Sequence, residues 1–188
     1  FKHNAAYRRL CEARGVQPGD VAHWTQIPRV PTAAFKELEL TCLHPEDRGQ
    51  VFHSSGTTEQ RPSRHFHNTD SLALYEASLW PWFKENCGVS IAGCRLLSLT
   101  PPPEQVPHSS LVHMFDFVRR QFGAGAETFV GRVGADGAWA LDFDAALAAL
   151  KRAETKPLLV LGTAFSFVHL LDELAARNLR VTLPTTAR

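Results

Sequence analysis

Short apolar segments alternate with longer segments of helical spacing from residue 50 onward, and this alternation limits the choice of fold. Residues 95–99 and 157–161 are rich in apolar side chains without polar alternation, as expected of strands buried on both faces. Residues 109–122 and 163–174 follow them, with apolar side chains at helical spacing. Strands and helices that alternate through short connections predict an α/β fold. We therefore expect a layered domain with a largely parallel sheet flanked by helices.

The region before residue 68 contains four further predicted elements. Residues 3–14 have the apolar spacing of a helix, and Thr32 is placed to cap a short helix over residues 33–37. Residues 50–53 and 64–67 are predicted strands that would pair as a hairpin around the polar segment between them.

Capping residues and prolines set the remaining predicted boundaries. A helix should follow residues 68–70, any of which can cap it, and Pro81 is expected to weaken or kink its last turn. Additional strands are predicted at residues 128–130 and 180–183. The predicted N-caps of the other helices are Ser109 or Ser110, Asp142 or Asp144, and Thr163.

Charge and hydropathy exclude several classes of function. The 188 residues contain 20 basic and 19 acidic side chains, and the net charge of +1 gives no reason to expect binding to nucleic acid. No apolar run approaches the roughly 18 residues that a membrane span needs. Four cysteines without a CxxC pair or zinc-ligand spacing favour a cytoplasmic protein with reduced thiols.

The polar loop of the predicted hairpin combines three kinds of phosphate-binding group. Serine and threonine hydroxyls can donate to phosphate oxygens, and glycine lets the backbone approach a ligand closely. Arg61 and Arg64 add positive charge. The candidate phosphate-binding residues are Ser54, Ser55, Gly56, Thr57, Thr58 and Arg64. The loop has neither Walker nor GxGxxG spacing, and on composition alone an ordinary polar turn remains open.

Residues 54–58 resemble the phosphate-binding signature of the adenylate-forming superfamily, which includes acyl-CoA synthetases and luciferase-like ligases. The usual signature is SGTTG, then a short gap, Pro and Lys. Here Pro62 is present, Arg64 stands near the usual lysine, and Glu59 stands where glycine is usual. Arg64 keeps the positive charge, whereas Glu59 adds a negative charge beside the phosphates.

Within that superfamily the chain is most similar to the LuxE-like acyl-protein synthetase branch. Residues 27–36, 109–114 and 161–165 carry this narrower resemblance. The chain begins without Met and stops after a predicted strand, so we expect residues 1–188 to be the N-terminal portion of an adenylation domain. The resemblance then implies that the C-terminal remainder, the lid domain and the catalytic lysine lie beyond residue 188, and no catalytic residue is assigned. We therefore expect residues 1–188 alone to bind ATP weakly and to be inactive.

The resemblance implies an acid–thiol ligase. Such an enzyme uses ATP and Mg²⁺ to activate a carboxylic acid, here a fatty acid, as an acyl-adenylate, and then transfers the acyl group to a protein thiol. The implied partners are the acid, an acyl-accepting protein thiol or an acyl reductase. The six loop residues would contact the β- and γ-phosphates. The accepting cysteine of this branch lies near the far end of the protein, so none of the four cysteines here takes that role.

A second candidate site lies at the predicted strand-to-helix turn near residue 163. Ligands of open α/β sheets bind beyond the carboxyl ends of strands. By resemblance, this turn could line the acyl or adenine pocket, and a histidine near the start of an earlier helix could contact substrate. These residues are Gly162, Thr163, Ala164, Phe165 and His108. The alternatives are a plain turn capped by Thr163 with Phe165 in the core, and a histidine without a role in binding.

Three other functions remain open on sequence. The first is an acid–CoA ligase of the phenylacetate–CoA ligase type, and the second is a nucleotide-binding remnant without catalysis, which Glu59 favours. The third is a serine hydrolase, because Ser54 and Ser55 follow His53. The GxSxG nucleophile motif is absent, which argues against the hydrolase.

Overall fold

Two groups of elements make up the chain in the computed structural model, one over Phe1–Leu74 and one over Tyr75–Arg188. The structure describes residues 1–54, 61–87, 94–152 and 157–183. Both groups contain helices and strands, so the chain is mixed α/β.

Two helices of the first unit precede its strands. Helix α1 (Ala5–Ala13) is capped by Asn4, whose side chain accepts from the Tyr7 N–H, and it confirms the predicted N-terminal helix. Helix α2 (Ala34–Glu37) is a single turn with Ala33 at its N-cap and no side-chain cap. The prediction that Thr32 caps this helix is therefore wrong. The first helical residue lies one position later than expected, which puts Thr32 too far from the cap position.

The predicted hairpin is confirmed. Strand β1 (Gln50–His53) pairs antiparallel with strand β2 (Arg64–His67). The register places Gln50 opposite His67 and His53 opposite Arg64. Phe52 is only 4% exposed, so the hairpin has a buried anchor immediately before the polar loop.

Helix α3 (Thr69–Cys87) follows the hairpin. Asn68 caps it, since its side-chain oxygen accepts from the Ser71 N–H at 2.9 Å. The helix continues for more than a turn beyond Pro81. Pro81 lacks an N–H and so removes one hydrogen bond of the helical ladder without ending the helix.

Helix α3 buries only some of its apolar side chains. Leu79 and Phe83 are buried, whereas Leu74 and Trp82 are 71% and 63% exposed. Apolar residues occur on more than one face of this helix, so spacing alone does not identify the face that packs.

The second unit contains one parallel and one antiparallel pair of strands. Strand β3 (Arg95–Ser98) lies parallel to strand β6 (Leu158–Leu161). Strand β4 (Gly131–Val133) is antiparallel to strand β5 (Trp139–Leu141). Ser98 also forms a parallel bridge with Phe129. Within the described residues the strands form three two-stranded sheets, of which only β3–β6 is parallel.

Two strand predictions in this unit need correction. Residues 126–128 form a 3₁₀ turn, so the strand predicted at 128–130 is only partly correct. Phe129 forms a parallel bridge with Ser98, the Val130 N–H donates to the Ser98 carbonyl at 2.9 Å, and strand β4 begins at Gly131. The described residues 180–183 are not in a strand. Strand formation needs a partner at hydrogen-bonding distance, and local apolar character does not supply one.

Three helices of the second unit begin at side-chain caps. Helix α4 (Ser110–Gln121) is capped by Ser109, helix α5 (Phe143–Lys151) by Asp142, and helix α6 (Ala164–Ala176) by Thr163. Each cap oxygen accepts from the N–H three residues later. These caps confirm the predicted helix starts.

The parallel pair is buried on both faces. Leu97 and Leu158 pack in a cluster with residues of α5 and α6, such as Leu150 and Leu170. Leu96 and Leu159, which point the opposite way, pack in a second cluster with residues of α3 and α4, which are Leu79, Phe83, Phe117 and Val118. This packing explains why β3 and β6 lack polar alternation.

Candidate functional site

Two hydrogen bonds join the ends of the polar loop that connects β1 to β2. The Ser54 N–H donates to the Ser63 carbonyl at 3.1 Å, and the Ser63 N–H donates to the Ser54 hydroxyl oxygen at 3.0 Å. They extend the strand ladder one step beyond His53 and Arg64. A hydroxyl that accepts a hydrogen bond can still donate its own proton, so Ser54 is compatible with a phosphate oxygen as its acceptor.

Four of the predicted phosphate-binding residues lie outside the described part of the chain. They are Ser55, Gly56, Thr57 and Thr58. The described members of the predicted set are Ser54, which is exposed, and Arg64, which is the first residue of β2. The structure therefore describes the two ends of the loop, at Ser54 and from Arg61 onward.

Both arginines at the loop lie beside glutamates. The Arg61 Nη1 atom is 2.7 Å from the Glu37 Oε2 atom, with both side chains 57% exposed. The Arg64 Nη1 atom is 3.8 Å from the Glu39 Oε2 atom. Exposed ion pairs of this kind contribute about 0–1 kcal/mol, so an incoming anion can displace them at little cost.

Glu39 also contacts a third arginine. Its Oε1 atom is 2.6 Å from the Arg48 Nη1 atom. The Arg48 Nε and Nη2 atoms both donate to the Leu43 carbonyl at 3.2 Å, and its guanidinium lies 4.7 Å from the centre of the Phe66 ring. Arg48 is thus held in place, and Glu39 links it to Arg64.

Sequence reasoning missed Glu37 and Glu39. They precede the loop by fifteen residues or more and belong to no motif around it. Only the packing of α2 against β2 brings them near Arg61 and Arg64. A local sequence signal for this placement does not exist, because the contact depends on the tertiary fold.

A serine–histidine pair lies at the start of β2. The Ser63 hydroxyl is 2.9 Å from the His65 Nε2 atom, and the His65 ring stacks on Phe35 with centroids 5.2 Å apart. Ser63 is only 6% exposed. A nucleophile needs access to its substrate, so this pair fits a structural role better than a hydrolase site.

The second candidate site starts at the carboxyl end of β6. A side chain on Gly162 would place its Cβ 3.2 Å from the Leu99 Cβ, so glycine allows close packing there. The Thr163 hydroxyl accepts from the Ser166 N–H at 3.1 Å. Ala164 is exposed and Phe165 is 78% exposed, so the alternative that placed Phe165 in the core is wrong.

The two histidines near α4 differ in their surroundings. His108 is exposed and directly precedes the capping residue Ser109. His113 lies within the helix, with its Nε2 atom 3.0 Å from the Glu76 Oε1 atom. Arg120 contacts the same Glu76 oxygen at 3.1 Å. His113 is therefore part of a surface polar network.

The four cysteines are free thiols. Cys11 is buried and Cys42 is exposed. Burial raises the pKa of the Cys87 and Cys94 thiols, which keeps both in the less nucleophilic thiol form at neutral pH.

The described ranges show neither a metal-binding cluster nor a membrane span. These ranges contain no group of three or more His, Cys, Asp or Glu side chains that could hold a metal ion. None of the helices described there combines the length and apolar character needed to cross a bilayer.

No model of a known protein family matches the chain, and no curated protein matches it. A function is therefore inferred from the residues of this chain.

Proposed function

We propose that the chain binds ATP through the β1–β2 hairpin and activates a carboxylic acid as an acyl-adenylate, with transfer to a protein thiol. The observation that carries this proposal is the hairpin, whose loop ends are joined by Ser54 and Ser63. The sequence between them is rich in hydroxyl groups, and Arg61 and Arg64 follow at its far end. The resemblance of residues 54–58 to the adenylate-forming signature supports the same conclusion.

The proposed reaction has two steps. A carboxylate oxygen attacks the α-phosphorus of ATP, the bond to the bridging oxygen breaks, and pyrophosphate leaves with the electron pair. A thiolate then attacks the acyl carbon and AMP leaves. Positioned donors accelerate such chemistry because they stabilise charge that grows in the transition state. Ser54, Arg64 and the loop hydroxyls are the proposed donors to the β- and γ-phosphates.

The packing around β3 and β6 in the second unit supports the proposal of a layered sheet. The β3–β6 pair is parallel and has apolar clusters on both faces, and Ser98 adds a parallel bridge to Phe129. We propose that this pair belongs to a largely parallel sheet flanked by helices. The turn at Gly162 and Thr163 would then lie at a carboxyl edge, where α/β proteins bind ligands.

The described residues do not fit a metal site made by the protein alone, because they contain no cluster of suitable ligands. Mg²⁺ in phosphoryl-transfer enzymes is held largely by substrate phosphates and water, with one or two carboxylates. No residue of this chain is therefore assigned to Mg²⁺.

A second candidate function is nucleotide binding without catalysis. Glu37 and Glu39 lie beside the two arginines of the loop, and Glu59 adds a third carboxylate within it. Such carboxylates weaken the attraction for a polyphosphate. ATP binding by the full-length protein without acid-dependent turnover would favour this function over the ligase.

Calorimetric titration with ATP tests the binding step. The double variant Ser54→Ala/Arg64→Gln should lose most of the affinity, whereas Arg29→Gln, an exposed arginine away from the hairpin, should keep it. Equal affinity in the double variant and the wild type would exclude the hairpin as the ATP site. Carboxylic-acid-dependent exchange of pyrophosphate into ATP, measured with the full-length protein, then tests activation. Absence of exchange in the full-length protein with ATP binding intact supports the non-catalytic function, whereas little or no exchange by residues 1–188 alone is the result that the ligase proposal itself expects.

A further inference from the structure

A polar cavity of about 620 Å³ lies within the first unit, between the start of α1 and the segment before β1. Residues from segment 2–9 line one side of the cavity, and residues from segment 38–45 together with Arg48 line the other. The Asn4 side chain joins the two sides, because its Nδ2 atom donates to the Thr41 carbonyl at 3.3 Å. Asn4 is only 9% exposed, so this link is well sheltered. A cavity of this volume is within the range of small-molecule sites.

The cavity is strongly basic. Its lining includes Lys2, Arg8, Arg9 and Arg48 and a single carboxylate, Glu39. The chain as a whole carries a net charge of only +1, so basic residues are concentrated here. Concave surfaces lined by one sign of charge attract ligands of the opposite sign.

Most of this positive charge is not neutralised by the protein. Glu39 pairs with Arg48 at 2.6 Å. Among the described residues, no salt bridge involves Lys2, Arg8 or Arg9. These three exposed cations line the same cavity. Their mutual repulsion would decrease when a multiply charged anion binds among them.

We infer that this cavity binds a small molecule whose phosphate groups together carry at least two negative charges. A phosphate group offers up to two negative charges and three acceptor oxygens, and arginine binds it through two parallel hydrogen bonds. Arg8 and Arg9 on α1 would contact the phosphates, and Lys2 would add a flexible third charge. The cavity lining contains no residue of the β1–β2 loop, although Glu39 contacts both Arg48 in the cavity and Arg64 at the loop. The inference does not depend on the function proposed for that loop.

The position of Cys42 makes the inference directly testable. Its exposed thiol lines the cavity, whereas Cys87 lies in the second unit. A ligand in the cavity should hinder alkylation of Cys42 and leave Cys87 unaffected. Iodoacetamide is suitable because it is uncharged and does not compete with an anion for the basic side chains.

The experiment measures alkylation of each cysteine by mass spectrometry, with inorganic tripolyphosphate as the probe. We expect several-fold slower modification of Cys42 with saturating probe and no change at Cys87. The double variant Arg8→Gln/Arg9→Gln should lose this protection. The matched control Arg14→Gln, at the other end of α1 and outside the cavity lining, should retain it. Circular dichroism verifies that the variants are folded.

Three results would overturn the inference. The first is unchanged alkylation of Cys42 at high tripolyphosphate concentration. The second is equal loss of protection in the double variant and in Arg14→Gln, which would indicate general charge attraction. The third is equal protection by citrate at matched ionic strength, which would indicate a site without preference for phosphate.

Discussion

The Ser63 N–H donates to the Ser54 hydroxyl oxygen at 3.0 Å, and the Ser54 N–H donates to the Ser63 carbonyl at 3.1 Å. One side chain and three backbone groups thereby fix the separation of the loop ends. Ser54 is also the first residue of the segment that resembles a phosphate-binding signature. Ser54 therefore both stabilises the hairpin and belongs to the proposed phosphate-binding segment.

Replacement of Ser54 by alanine should destabilise the protein. The Ser63 N–H would lose its acceptor in a residue that is only 6% exposed, and such a loss costs about 1–3 kcal/mol. Urea denaturation measures this change in the free energy of unfolding. Ser54→Thr keeps the hydroxyl oxygen and should stay close to the wild type. An equal loss in both variants would show that the hydrogen bond is not the cause.

Replacement of Glu39 by glutamine should increase affinity for ATP. The carboxylate lies 3.8 Å from the Arg64 guanidinium, and its removal makes that charge more available to a phosphate. A partly exposed pair is worth about 0–1 kcal/mol, which corresponds to at most roughly a fivefold gain. Titration calorimetry measures it, with the exposed Glu46→Gln as control. Weaker ATP binding by Glu39→Gln would contradict the proposal that the Glu39 carboxylate competes with phosphate for Arg64.

Replacement of Gly131 by alanine should strongly destabilise the second unit. The added Cβ would lie 2.3 Å from the Thr100 carbonyl carbon and 2.5 Å from the Pro101 nitrogen, both backbone atoms. Forced overpacking of this kind costs about 1–3 kcal/mol or more. Gly19→Ala is the matched control, since nothing lies within 4 Å of its added Cβ. Thermal unfolding compares them, and equal melting temperatures would contradict the packing at Gly131.

Stability should fall in alkaline solution, in part because of Tyr75. Burial raises the pKa of the Tyr75 phenol, and the Glu76 carboxylate raises it further. The unfolded chain then loses this proton at lower pH than the folded protein. The contribution of Tyr75 is present below about pH 10 and is lost as pH rises through the folded-state pKa. In Tyr75→Phe, the free energy of unfolding should fall less steeply as pH rises. An unchanged slope would contradict the contribution assigned to the Tyr75 phenol.

Local signals in the sequence were sufficient for the starts of α4, α5 and α6 and for the hairpin, but not for the cap of the short helix α2. Ser109, Asp142 and Thr163 each cap a helix through the N–H three residues later, which is an interaction within one short segment. The hairpin joins strands that are close in sequence. Such features depend on residue type and spacing, so they can be predicted without knowledge of the tertiary fold.

The failures concern contacts between distant segments. Residues 180–183 have the composition of a strand, but the structure gives them no strand partner among the described residues. In α6, Leu170 is buried while Phe165, Val168 and Leu171 are exposed, because apolar residues surround much of this helix. The face that packs is chosen by the neighbouring sheet. For the same reason the sequence did not reveal that Glu39 lies between Arg48 and Arg64.

The most direct measurement is a crystal structure of the protein with a non-hydrolysable ATP analogue. The account predicts that the β- and γ-phosphates lie against the β1–β2 loop, within hydrogen-bonding distance of the Ser54 hydroxyl and the Arg64 guanidinium. A nucleotide bound elsewhere, with its phosphates away from residues 54–64, would contradict the proposal that this hairpin is the ATP site.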